Sequence, residues 1–135
     1  MKKVVFVCTG NTCRSPMAEA YLKSKKSTGF DIISRGLSAD GSPASANSVS
    51  VMAELGLDLK SHTSSQFNYS EADSADVIVC MSSSHADLLE ALGIDKLKIH
   101  VLGISDPYGL GIEDYRKCRD EIISAIDELI GDGIL

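Results

Sequence analysis

Residues Lys3 to Cys8 read KVVFVC, an uninterrupted β-branched and aromatic run, and polar residues follow at once. A run without polar alternation is what a strand buried on both faces requires. Three weaker runs repeat the theme at Phe30 to Ser34, Val77 to Met81 and Lys98 to Leu102. Between them the pattern predicts helices over about 16–28, 44–56 and 84–92, with a last one over about 112–130. The last carries Tyr115, Cys118, Ile122, Ile126 and Leu129 at helical spacing, acidic Glu113 and Asp114 in its first turn, and Gly131 as a stop. Strand and helix alternate with no hairpin signal. The expectation is therefore a single α/β domain over residues 1–135, a three-layer fold with a four-stranded parallel sheet and helices on both faces. Open sheets of this kind bind ligands beyond the carboxyl ends of their strands, so chemistry is expected just after a strand.

Composition narrows the function classes. Apolar residues make up 44% of the 135, too many for a disordered chain and enough for a real core. The 19 acidic residues outnumber the 13 basic ones and leave a formal charge of -6, which disfavours nucleic acid and anionic membrane surfaces as partners. No apolar run approaches the roughly 20 residues that span a bilayer, and Val4 to Val7 is too short for a signal peptide, so a cytoplasmic address and no membrane partner are expected. In that compartment Cys8, Cys13, Cys80 and Cys118 read as thiols, not as a disulfide framework. No second close Cys or His pair accompanies Cys8 and Cys13, and His62, His85 and His100 are scattered singly. Metal ligation is not expected, and the three histidines read as surface or packing residues. The Ser-rich stretch from Ser61 to Ser74 reads as the longest loop, a solvated connection or a site rim.

The loop after the first strand carries the chemistry. It runs Cys8-Thr9-Gly10-Asn11-Thr12-Cys13-Arg14-Ser15-Pro16, with Ser15 in a position to cap a helix and Pro16 to open it. Gly10 and Asn11 let successive backbone N–H groups turn inward as an anion nest, and the helix terminus adds more. Arg14 supplies a planar fork for two phosphate oxygens. Donors that bind phosphate also stabilise a thiolate, so Cys8 is placed as a nucleophile at the floor of an oxyanion cradle. The Gly-Lys-[Ser/Thr] ending of a nucleotide-binding P-loop is missing. A bare Cys-x5-Arg is a weak signal; the buried strand before it and the helix start after it give it weight. The bland alternative is a structural cysteine beside a surface arginine.

The segment VCTGNTCRSPMAEA resembles the signature of low-molecular-weight protein tyrosine phosphatases. Far along the chain, Ser105-Asp106-Pro107-Tyr108-Gly109 resembles that family's Asp-Pro-aromatic general-acid loop. Softer similarities at Ser34 to Gly36, Leu57 to Gln66, Ala75 to Met81 and Tyr115 to Ile122 spread the resemblance over nearly the whole chain. It implies two-step phosphoryl transfer through a cysteinyl-phosphate, with catalytic residues Cys8, Arg14 and Asp106 and no metal or other cofactor. The substrate phosphoryl group would be held by the loop Thr9, Gly10, Asn11, Thr12 and Cys13. Asn11 would support the loop backbone, Ser15 would bond the Cys8 sulfur, and Tyr108 would wall the mouth. On ordinary grounds Asn11 is a turn residue, Ser15 a cap, Asp106 a turn-forming Asp before proline, and Tyr108 a half-buried aromatic. The spacing of Cys8 and Cys13 suggests a reversible protective disulfide, while Cys80 and Cys118 read as core packing.

Position 12 bears on the substrate. Tyrosine-specific members usually carry a larger aliphatic residue there, whereas CTGNTCRS with Thr12 resembles the bacterial protein-arginine phosphatases of the family. A small side chain with a hydroxyl leaves room for a polar, forked guanidinium and offers it an acceptor, and the Asp106 carboxylate could face it too. Tyr108 departs slightly from the phenylalanine more often seen in that branch, and Thr12 is also open to reading as tolerated variation. Proteins bearing phosphoarginine are the expected substrates, with phosphotyrosine as the alternative, and a monomer is expected. Arsenate reductases of this fold share a similar loop, but they need two further relay cysteines near the third strand, where this chain has only Cys80. A non-catalytic phosphate-binding module would be expected to lack Cys8 or Asp106.

Overall fold

The computed structural model describes residues 1–135. Four strands, β1 (Lys2–Cys8), β2 (Phe30–Gly36), β3 (Val77–Cys80) and β4 (Ile99–Val101), form one parallel sheet in the order β2-β1-β3-β4. The helices are α1 (Arg14–Lys25), α2 (Ala46–Ala53), α3 (Tyr69–Asp73), α4 (Ser83–Ala91) and α5 (Ile112–Gly131). The expected three-layer α/β fold is thus present, and no helix is long and apolar enough to cross a membrane.

The β1 run is central and buried from Val4 to Cys8. Its alternating side chains serve two cores: Val4, Phe6 and Cys8 join the residues of α1, α2 and α5, while Val5 and Val7 join Ala72 of α3 and Ala86 and Leu89 of α4. One uninterrupted apolar run therefore supports both layers. Cys80 and Cys118 are buried in the two cores, as expected for packing residues, and burial pushes both thiols up to about 12.

Local departures from the sequence expectations have identifiable causes. Helix α1 begins at Arg14, two residues early, with Cys13 at the cap position; the Ser15 hydroxyl is not a cap because it bonds sulfur and amide groups of the loop. The Ser61 to Ser74 stretch contains a short helix, α3, started by the Asn68 side chain accepting from Glu71 N. Strand β4 is reduced to three residues because Lys96–Lys98 form a 3-10 turn.

The loops after β1 and β2 are joined by backbone hydrogen bonds from Leu37 N to Cys8 O (3.0 Å), Ser38 N to Thr9 O (2.9 Å) and Ser45 N to Thr12 O (2.9 Å). Gly36 makes this approach possible. A Cβ at that position would sit 2.7 Å from Thr9 O and 2.9 Å from both Asn11 N and Asn11 Cβ, and the backbone there has little freedom to yield. We expect Gly36→Ala to destabilise the fold by about 1–3 kcal/mol and to distort the loop after β1. Chemical denaturation would check the first, and a substitution that left the midpoint unchanged would show the loops to be separable.

Candidate active site

The loop Thr9 to Cys13 curls around the Cys8 sulfur. Cys8 Sγ accepts from Asn11 N at 3.2 Å and lies 2.8 Å from Ser15 Oγ. The backbone N–H groups of Gly10, Thr12 and Cys13 find no acceptor within the protein. Together with the start of α1 they surround a thiol that is only 2% exposed, an arrangement of donors suited to an anion. Arg14, at the first turn of α1, is buried; its Nη1 donates to Ile104 O at 2.9 Å and its Nη2 lies 3.6 Å from Asp106 Oδ2.

The cradle keeps its shape because Asn11 is locked. It adopts φ 57°, a left-handed conformation unusual for a residue other than glycine, and is fully buried. Its Nδ2 donates to Ser15 Oγ (2.8 Å) and Ser34 Oγ (2.9 Å), and its Oδ1 accepts from Ser65 N (2.9 Å). Its carbonyl oxygen accepts from His62 Nε2 at 2.7 Å. The Ser34 hydroxyl passes the chain on to Glu19 Oε1 at 2.5 Å. Every polar atom of the residue that carries the strain is thereby engaged.

A cavity of about 490 Å³ opens above Cys8. Thr9, Gly10, Thr12, Cys13, Arg14, Asp106 and Tyr108 line it, so the two distant motifs meet as the sequence suggested. Asn11 and Ser15 lie behind its wall, where they brace the loop. Asp106 stands at the rim with Oδ1 accepting from Tyr108 N at 3.0 Å, and Tyr108 is 73% exposed beside it. Cys13 Sγ sits 3.5 Å from both Ser45 Oγ and Tyr115 Oη; burial and that sulfur contact push the Tyr115 hydroxyl up to about 12. All four cysteines are free thiols.

Sequence reasoning missed two groups. Ser38, Asp40, Ser42 and Ser45, on the loop after β2, form a further wall; the rule that sites gather at strand carboxyl ends could have flagged them. His62 and His85, read as surface or packing residues, instead brace the loop from outside its own sequence. His85 is buried, and its Nδ1 accepts from Ser82 N at 3.3 Å, which leaves Nε2–H to donate to Thr9 Oγ1 at 2.9 Å.

Burial, and then the positive charge of Arg14, lower the His85 pKa below the ordinary 6.5, with Asp106 opposing. As pH falls, the unfolded chain takes up this proton before the folded one does. The stability this contributes is therefore present above 6.5 and is lost as pH drops from there through the lowered folded value. We expect the melting midpoint to fall between about pH 7 and about pH 5 by more in the wild type than in His85→Gln, whose amide N–H replaces the Thr9 donor without titrating. Equal falls would remove His85 from the acid response.

Comparison with known proteins sets this geometry in context. Residues 3–132 match the family model described as low molecular weight phosphotyrosine protein phosphatase. A protein-arginine-phosphatase from Geobacillus stearothermophilus is 42% identical, with 94% of this chain and 93% of the relative covered. An arsenate reductase from Staphylococcus haemolyticus is 32% identical over 93% and 94% of the two chains. Among solved structures, a YwlE arginine phosphatase from Geobacillus stearothermophilus superimposes with a TM-score of 0.90 at 37% identity, covering 98% of this chain and 92% of the other.

Proposed function

The chain belongs to the low molecular weight phosphotyrosine protein phosphatase family and is a cysteine-dependent phosphatase, and on that premise we propose that it hydrolyses phosphoarginine on proteins. Cys8 Sγ attacks phosphorus in line with the leaving nitrogen, the N–P bond breaks, and a cysteinyl-phosphate forms. Arg14 and the free N–H groups of Gly10, Thr12 and Cys13 hold the equatorial oxygens as their charge shifts. Asp106 at the rim, its Oδ2 3.6 Å from Arg14 Nη2, acts first in its protonated form and gives that proton to the departing guanidine nitrogen, becoming a carboxylate. It then takes a proton from the water that attacks the cysteinyl-phosphate and releases inorganic phosphate and the Cys8 thiolate.

The observation that carries the arginine reading is the cavity wall. Thr12 lines the cavity with a small hydroxyl side chain, and Tyr108 is the only aromatic lining residue and is mostly exposed. A phenyl ring gains little from such a wall, whereas a guanidine finds polar partners. The similarity to a protein-arginine-phosphatase supports the same assignment. The family description and Tyr108 favour phosphotyrosine as the second reading. Arsenate reduction is weaker: passing a disulfide to the surface needs further accessible thiols, and Cys80 and Cys118 are buried with pKa values near 12.

Measured kcat/KM on matched peptides should favour phosphoarginine over phosphotyrosine, and Thr12→Ile should collapse or reverse that preference. A wild-type preference for phosphotyrosine would overturn the substrate assignment. Asp106→Asn should lower kcat about 10²- to 10⁴-fold while leaving binding of inorganic phosphate nearly intact. Full turnover in that variant would remove Asp106 from the proton-transfer role.

A further inference from the structure

The cavity is cationic at its floor and acidic at its mouth. Arg14 is its only basic lining residue, and that side chain is buried and occupied with Ile104 O and Asp106. Two carboxylates line the same space, Asp40 and Asp106. They arrive from opposite flanks. Asp40 lies on the loop after β2 and Asp106 on the loop after β4, and in the order β2-β1-β3-β4 the loop after β1 falls between them.

Asp40 is exposed, yet it is held in place. Its Oδ1 accepts from Ser42 N at 3.0 Å and from Ser42 Oγ, which leaves Oδ2 without a donor from the protein. Those bonds hold its carboxyl below the usual carboxylate range. The loop that carries it is fixed to the loop after β1 by the three backbone bonds from Leu37, Ser38 and Ser45. It is also clamped by Gln66, whose Oε1 accepts from Ala39 N at 3.0 Å and whose Nε2 donates to Leu37 O at 2.9 Å. A fixed charge at a rim discriminates better than a mobile one, because little ordering entropy is lost when a partner arrives.

We propose that Asp40 is a specificity-determining residue whose carboxylate receives the positive charge of the substrate across the mouth from Asp106. The inference rests on the phosphoarginine reading and names the residue that would enforce it. A phosphoarginine side chain carries its guanidinium next to the phosphoryl group that Cys8 and Arg14 receive. With the phosphoryl group at the floor, the cation falls in the acidic half of the cavity. A phosphotyrosine ring presents no charge there, so a rim carboxylate gains nothing from it. Asp106 is engaged with Arg14 and with proton transfer, whereas Asp40 has an oxygen to spare.

The test is kcat/KM for wild type, Asp40→Asn and Asp40→Glu on matched phosphoarginine and phosphotyrosine peptides at low and high salt, with p-nitrophenyl phosphate as a control for intact folding. Asn keeps an oxygen to accept from Ser42 and replaces the free, charged oxygen with an uncharged NH2. The phosphoarginine-to-phosphotyrosine ratio should fall about three- to fivefold in Asp40→Asn, remain near wild type in Asp40→Glu, and respond to salt only where the carboxylate is present. An unchanged ratio, or an equal loss on all three substrates, overturns the proposal. The wild-type ratio tests the substrate reading separately. A wild type that prefers phosphotyrosine but whose ratio still falls in Asp40→Asn keeps the role of Asp40 and loses the substrate assignment. A wild type that prefers phosphoarginine with no change in the variant does the reverse.

Discussion

The site depends on one residue held in a conformation it would not choose alone. Asn11 at φ 57° turns the backbone so that its own N–H meets the Cys8 sulfur while the N–H groups of Gly10, Thr12 and Cys13 are left without an acceptor in the protein. A left-handed asparagine costs on the order of 1 kcal/mol, and burying its amide without partners would cost more. Ser15, Ser34, Ser65 and His62 each answer one of its polar atoms. Those partners come from α1, from β2 and from the stretch before α3. The curvature of a loop of five residues is thus set by segments far apart in sequence, and the sheet is what brings them together.

Steric and polar constraints act on the same point from opposite sides. Gly36 permits the close approach of the end of β2 to the loop after β1, where a Cβ would sit 2.7 Å from Thr9 O, and the Asn11 network then pins that approach. Neither would suffice alone. A glycine without the network leaves the loop free to relax, and a network without the glycine cannot close. On the other flank His85 bonds Thr9 from the start of α4, so the loop is held across both sides of β1. On the proposed mechanism, rigid donors need no reorganisation as charge develops on a phosphoryl group, which gives a physical reason to hold them so firmly.

What was legible in the sequence follows from the range of the interactions involved. The run KVVFVC reports burial on both faces directly, because periodicity is a local property, and β1 lies within one residue of its expected bounds. The tail helix was equally readable, since its apolar stripe and acidic first turn are both local. The start of α1 was misread for the opposite reason. Ser15 has the chemistry of a cap, but its hydroxyl is taken by Cys8 and Asn11, and only the folded loop reveals that competition. The bonds that His62 and His85 make to the loop after β1 carry no local signal either, because those partners lie 51 and 76 residues away. The meeting of Asp106 with Arg14 could be expected only through family resemblance and the carboxyl-end rule. The wall formed by Asp40 was available from that same rule but had no motif to draw attention to it.

The four cysteines show why composition alone cannot assign chemistry. Cys80 and Cys118 are surrounded by apolar side chains, and burial drives their thiols so high that they stay neutral and inert. Cys8 is just as buried, yet its sulfur receives a backbone N–H and lies against a hydroxyl, with Arg14 entering the same cavity. Burial among apolar groups removes a thiol from chemistry, whereas burial among donors favours the thiolate that the proposed mechanism needs. Cys13 lies between these cases, lining the cavity but facing the hydroxyls of Ser45 and Tyr115 and not an array of backbone donors. Within one loop, then, the proposed nucleophile is the sulfur that receives the Asn11 N–H, and the conformation of Asn11 sets that geometry.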